Sequence, residues 1–100
     1  MTIIYPTTSS NTTAVETSGT ALASNPQRIG WSIQNQGTNP LFVLLGSGCT
    51  TSVYHYTLKG ASVAADGSGG SVAQTEGVVF TGAITVAGTS PSYTVLEMAP

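Results

Sequence analysis

The chain is 100 residues long and carries six formal charges, Glu16, Arg28, Lys59, Asp66, Glu76 and Glu97, for a net charge of −2. Average soluble domains are roughly 25% charged, and two basic residues cannot displace enough counterions to hold nucleic acid or an anionic membrane surface. The length allows one domain with one modest core, and so few ionisable groups leave little for acid–base or metal chemistry.

Hydrophobic residues make up 40% of the chain, and Ser, Thr and Gly account for another 40 residues. That mixture disfavours helix, because Thr and Val lose rotamer freedom, hydroxyls compete for the backbone and interior Gly costs roughly 1 kcal/mol. The same residues suit pleated, half-buried strands. The expected fold is all-β: a small antiparallel β-sandwich, jelly-roll-like, over residues 25–100, with residues 1–24 forming an extended N-terminal arm and a first weak strand.

The arm begins with the apolar, β-prone piece Met1-Thr2-Ile3-Ile4-Tyr5-Pro6 and continues through a hydroxyl run to weak patterning around Val15 and Leu22. An arm of this kind can add a strand to a neighbouring subunit, which makes Ile3, Ile4 and Tyr5 candidate interface residues. The start lacks the basic and long apolar regions of a signal peptide. No apolar run reaches the roughly 18–20 residues that span a bilayer, and the lone Cys49 excludes an internal disulfide. Synthesis in a cytosol, with no membrane partner, is the expectation. The sequon Asn11-Thr12-Thr13 reads as a polar stretch.

From Arg28, Ile29, Trp31 and Ile33 alternate with small or polar residues, giving a strand with one apolar face. Gln36-Gly37-Thr38-Asn39-Pro40 supplies turn chemistry, and Leu41-Phe42-Val43-Leu44-Leu45 follows, apolar at both parities. A strand of that kind is covered on both faces. The two strands are expected to form a hairpin, with Leu41, Val43 and Leu45 packing against another subunit.

Gly46-Ser47-Gly48-Cys49-Thr50-Thr51 reads as a loop. Residues 53–58 read as a strand with Tyr54, Tyr56 and Leu58 on one face and Val53, His55 and Thr57 on the other. Asp66-Gly67-Ser68-Gly69-Gly70-Ser71 reads as the most flexible loop. Val78-Val79-Phe80 begins another β-rich run, Ile84 and Val86 point inward from residues 83–87, and residues 92–98 close the fold. Short strands with turns every 8–12 residues fit a sandwich or small barrel.

Candidate chemistry is sparse. One His and one Cys fall short of a zinc site. Asp66 and Glu76 flank the Gly-rich loop without the spacing of a calcium-binding loop. His55 would be the only base for a Ser or Cys nucleophile, and no strand–elbow–helix motif accompanies it. Trp31, Tyr54, Tyr56 and Tyr93 are candidates for a sugar-stacking platform, although Trp31 shares the parity of Ile29 and Ile33 and reads as core. Arg28 and Lys59 are candidate inter-subunit contacts, since an Arg in a nearly uncharged chain suits a bidentate pair with a partner carboxylate. The chain is expected not to be an enzyme and to need no cofactor.

Residues 28–46, from Arg28-Ile29-Gly30-Trp31 through Gln34-Asn35-Gln36-Gly37-Thr38-Asn39-Pro40 to Leu45-Gly46, resemble a hairpin of small tailed-phage virion proteins. Gly82-Ala83-Ile84-Thr85-Val86-Ala87-Gly88-Thr89 and the closing strand are similar to the same proteins. The resemblance covers about two-thirds of the chain and leaves out the arm and the Gly-rich loop. It implies a capsid decoration (cement) protein on the head exterior, assembled in the host cytoplasm, which binds the major capsid protein as a homo-oligomer such as a trimer. A tail, fibre or baseplate module that binds a host-surface glycan is the alternative.

Overall fold

Eight strands and no helix make up the described residues: β1 Tyr5–Asn11, β2 Gly19–Leu22, β3 Gly30–Asn35, β4 Leu41–Leu45, β5 Tyr56–Leu58, β6 Ser71–Gln74, β7 Ile84–Gly88 and β8 Tyr93–Ala99. The structure, a computed structural model, describes residues 5–11 and 19–99, with side chains from residue 19 onward. Ile3 and Ile4, the first two of the expected interface residues, lie outside the described residues, as does Val15. For Tyr5 only the backbone position is described.

The strands form two four-stranded antiparallel sheets, in the orders β1-β8-β3-β6 and β2-β7-β4-β5. The pairing is nested: β1 lies on β8, β2 on β7, β3 on β6 and β4 on β5. Ladders between β3 and β8 and between β4 and β7 complete the two sheets. Every strand therefore alternates sheets with its sequence neighbour except the β4–β5 pair.

This overturns the expected hairpin over residues 28–46. β3 and β4 belong to different sheets, and residues 36–40 form a corner between them. The turn residues suit a reversal of either kind. What makes it a corner is non-local: Gln36 N and Gly37 N both donate to Ser92 O, and Ala61 N donates to Gly37 O. The backbone of Tyr5–Asn11, expected in an arm reaching for a neighbour, pairs in full with β8 of its own chain.

One core lies between the sheets. Trp31, Ile33, Tyr93 and Val95 come from the first sheet, and Leu41, Val43, Leu58, Ile84 and Val86 from the second. Each is an alternate residue of its strand, as period-two patterning requires. Full burial of such a side chain contributes about 1.5–3 kcal/mol. Trp31 also needs a partner for its indole N–H, and donates it to Gln74 Oε1 at 2.9 Å. The same oxygen accepts from Phe80 N at 3.0 Å, so one amide fastens the core tryptophan to the β6–β7 loop.

Two other strand expectations move. Residues 53–55 precede the strand, which spans only Tyr56–Leu58. Val78-Val79-Phe80 is loop, and the strand in that region is Ser71–Gln74, at the end of the Gly-rich stretch. The end of the Gly-rich loop is closely packed: a Cβ on Gly69 would collide with the Asn35 carbonyl, and one on Gly70 would meet Lys59 N at 2.8 Å, although Gly67 stands in open space. Glycine there serves close backbone approach, a use that looks the same in sequence as flexibility.

Candidate functional site

Three of the residues expected to meet a partner, Leu41, Val43 and Arg28, are buried inside this chain. Leu41 is 1% exposed and Val43 0%, because their parity faces the core. Leu45 is half-buried and packs against the same core. The parity left for the outside is Phe42 and Leu44.

Arg28 is the third. Its side chain is fully buried, and four of its five N–H donors are used within the chain. Nε donates to Glu97 Oε2 at 2.9 Å. Nη1 donates to Phe80 O and Gly82 O, both at 2.9 Å, and Nη2 to Ala23 O at 2.6 Å. The planar fork thus ties the end of β2, the entry to β7 and strand β8 together, a task that suits Arg rather than Lys. Lys59 is exposed and remains available to a partner.

The chain's own residues 46–55 cover the middle of the outer face of the β2-β7-β4-β5 sheet, over Thr85 and Phe42, while Thr20 and Thr57 on the same face stay exposed. Cys49 N donates to Thr85 Oγ1 at 3.1 Å, and that hydroxyl donates to Gly46 O at 2.7 Å. Cys49 Sγ donates to Phe42 O at 3.4 Å. The Tyr54 ring lies against Phe42 with centroids 4.8 Å apart. Thr85 and Ala87, the outward residues of β7, are thereby buried as fully as its inward Ile84 and Val86. This loop supplies part of the second cover for the doubly apolar β4, whose Phe42 and Leu44 are half-buried.

On the outer face of the β1-β8-β3-β6 sheet, Ser71, Ala73 and Thr94 are exposed, Ser32, Gln34, Leu96 and Met98 half-buried and Gly30 buried. Its outward side chains are Gly30, Ser32 and Gln34 of β3, Ser71 and Ala73 of β6, and Thr94, Leu96 and Met98 of β8. Pro6, Thr8 and Ser10 of β1 hold the register positions opposite Met98, Leu96 and Thr94. None of these residues is charged. With Arg28 and Glu97 paired inside, the exposed charges among the described residues are Lys59, Asp66 and Glu76.

Exposed large hydrophobic side chains gather in the loops at one end. Ile29 precedes β3, Val53 and Tyr54 lie between β4 and β5, and Val78, which is 95% exposed, lies between β6 and β7. Val63 is exposed in the β5–β6 loop at the other end.

His55, Cys49 and Asp66 are each held by bonds of their own. His55 Nδ1 accepts from Leu45 N at 3.0 Å, and His55 N donates to Val43 O. Burial pushes the Cys49 thiol above its ordinary pKa. Asp66 Oδ1 accepts from Ser68 N at 2.9 Å and Ser68 Oγ at 2.6 Å, while Oδ2 accepts from Val63 N at 3.2 Å. These bonds, led by the Ser68 hydroxyl, hold the carboxyl below its ordinary pKa. Asp66 and Glu76 stand in loops on either side of β6 and share no site. Among the described residues, no three His, Cys, Asp or Glu side chains are placed to hold a metal ion.

The sugar-platform aromatics are likewise dispersed. Trp31 and Tyr93 are core, Tyr56 packs at the core's edge, and Tyr54 alone presents a ring outward. Tyr54 and Tyr56 fall on opposite faces, because residues 53–55 are not yet strand. Asn35 is the buried polar residue that sequence reasoning passed over. Its Nδ2 donates to Asn39 O at 2.8 Å, and to Leu58 O and Lys59 O at 3.2 Å, while Oδ1 accepts from Gly37 N at 3.0 Å. A polar residue at the inward parity of β3 was the available signal, since buried amides are kept where the backbone needs donors. Comparison with protein-family models, with curated proteins and with solved structures found no match for this chain.

Proposed function

We propose that this chain is a structural protein of a tailed-phage virion, a decoration (cement) protein that binds major-capsid subunits on the head exterior and stabilises the shell. The observation that carries the reading is the nested strand order β1-β8-β3-β6 and β2-β7-β4-β5. That order is what a β-sandwich of two Greek keys, a jelly roll, makes, and jelly rolls serve in viral capsid and lectin domains. Fold alone does not assign function. The second support is the surface, where polarity comes from hydroxyls and amides and only three described charges are exposed.

Such a surface suits a part held in place by repeated neutral contacts. Each contact is weak, and many add through multivalency on a lattice of equivalent sites. The chain takes no catalytic role in this account and requires no cofactor or nucleic acid. A homo-oligomer, a trimer at local threefold positions, matches the symmetry of such a shell.

A tail or fibre module that binds a host glycan is the second reading, favoured by the exposed Tyr54 ring backed by Phe42 and by the occurrence of jelly rolls among lectins. Particles assembled with and without this chain separate the two. Loss of heat and osmotic resistance in its absence supports the cement role. Unchanged resistance together with lost adsorption to host cells supports the glycan role.

A further inference from the structure

We infer that the His55 ring is a proton-sensitive latch on residues 46–55, closed while the imidazole is neutral and released when it takes up a proton. The latch is the bond from Leu45 N to His55 Nδ1 at 3.0 Å. The β4–β5 ladder ends at Val43 opposite Tyr56, and His55 N extends it by donating to Val43 O at 2.8 Å. Leu45 N points to the same side as Val43 O, toward residues that have left the strand. The ring nitrogen stands where the next ladder carbonyl would be and gives that backbone N–H its partner.

An imidazole nitrogen accepts only while it is unprotonated. Nδ1 is therefore bare here, and the neutral ring carries its hydrogen on Nε2. A further proton has only Nδ1 to go to, where it turns the acceptor into a donor facing the Leu45 N–H. The bond and the charged ring exclude each other.

Few ionisable groups face the ring. β4 contributes none, β5 contributes Tyr56, and residues 46–54 contribute Cys49 and Tyr54. Lys59 follows the far end of β5. The ion pair among the described residues is Arg28–Glu97, so neither Glu76 nor another described carboxylate pairs with His55. His55 itself is exposed, which leaves it open to protons from solvent.

The latch closes the loop at its root. Leu45 and His55 bracket residues 46–54, which reach the sheet through Cys49 N on Thr85 Oγ1 at 3.1 Å and through the Tyr54 ring on Phe42. With the root released, those contacts lose a tether. Histidine changes charge between about pH 5 and 8, so the loop is held at the upper end of that range and loosens at the lower. The device is independent of the particle role.

Amide hydrogen exchange by NMR on the full chain, expressed as protection factors at about pH 8 and about pH 5, tests the latch. Leu45 N–H should lose protection at least about fivefold at the lower pH, and Cys49 N–H should fall with it. Ile33 N–H, inside β3, should keep its protection. His55→Asn retains an acceptor that does not titrate, so Leu45 and Cys49 should be equally protected at both pH values. His55→Gln replaces that variant if it does not fold by circular dichroism. Unchanged Leu45 or Cys49 protection in the wild type overturns the proposal. So does an equal loss at Ile33, which would be global unfolding, or the same pH response in the amide variant.

Discussion

Arg28 Nε donates to Glu97 Oε2 at 2.9 Å across 69 positions of sequence, with the Arg side chain fully buried. Two of the six charges thus neutralise each other inside the fold. A buried pair adds little net stability over apolar replacements, but removing one partner leaves the other uncompensated, at a cost of about 3–5 kcal/mol. Arg28→Ala should lie in that range or above it, since the Ala23, Phe80 and Gly82 carbonyls lose their donors as well. Urea unfolding reads the loss. A change below about 1 kcal/mol would show that the clip behaves as a surface ion pair.

The Gly69 site answers to a smaller substitution. Its Cα lies so close to the Asn35 carbonyl that a Cβ cannot be accommodated without backbone movement. Gly69→Ala should cost about 1–3 kcal/mol or more by overpacking. Gly48→Ala, where a Cβ meets nothing within 4 Å but φ is +85°, should cost only the left-handed penalty of about 1 kcal/mol. Thermal melts of the two variants give the ranking, and equal losses would refute the close-packing account of the Gly-rich loop.

Cys49 is 0% exposed, and its thiol is pushed up in pKa by burial. Thiolate is the reactive form, so the native protein should resist a thiol-specific reagent at neutral pH and react fully once unfolded in denaturant. Rapid stoichiometric labelling of the native chain would contradict the burial of Cys49 against Phe42 and Thr85.

Asp66 introduces a pH dependence in acid. Its folded pKa lies below the unfolded value, so the unfolded chain binds the proton more readily. The contribution is fully present above the unfolded value, about pH 4, and is lost as pH falls through that value and the lower folded one. Asp66→Asn keeps an acceptor oxygen and removes the titration. Stability of the wild type should therefore fall more steeply below about pH 4 than that of the variant. Parallel curves would show that the Ser68 and Val63 bonds contribute nothing to folding.

What could be read from the sequence was local. The all-β class followed from β-branched and hydroxyl residues, and the inward parity of Trp31, Ile33, Ile84 and Val86 followed from alternation. Pairing could not be read this way. Gln36-Gly37-Thr38-Asn39-Pro40 reverses the chain equally well within a sheet or between sheets, and contacts with Ser92 and Ala61 decide it. Arg28 illustrates the same limit at the candidate site. A lone cation looks like a handle for a partner until the fold brings three carbonyls and Glu97 around it. Phe42 and Leu44 marked a covered outer face, but nothing near them said that residues 46–55 were part of the cover.

The particle role is tested most directly by counting this chain in purified virions against the major shell protein, using quantitative mass spectrometry. A decoration protein repeated over a symmetric lattice should be present at on the order of hundreds of copies per particle. Absence from the particles, or a count limited to a few copies, would contradict it.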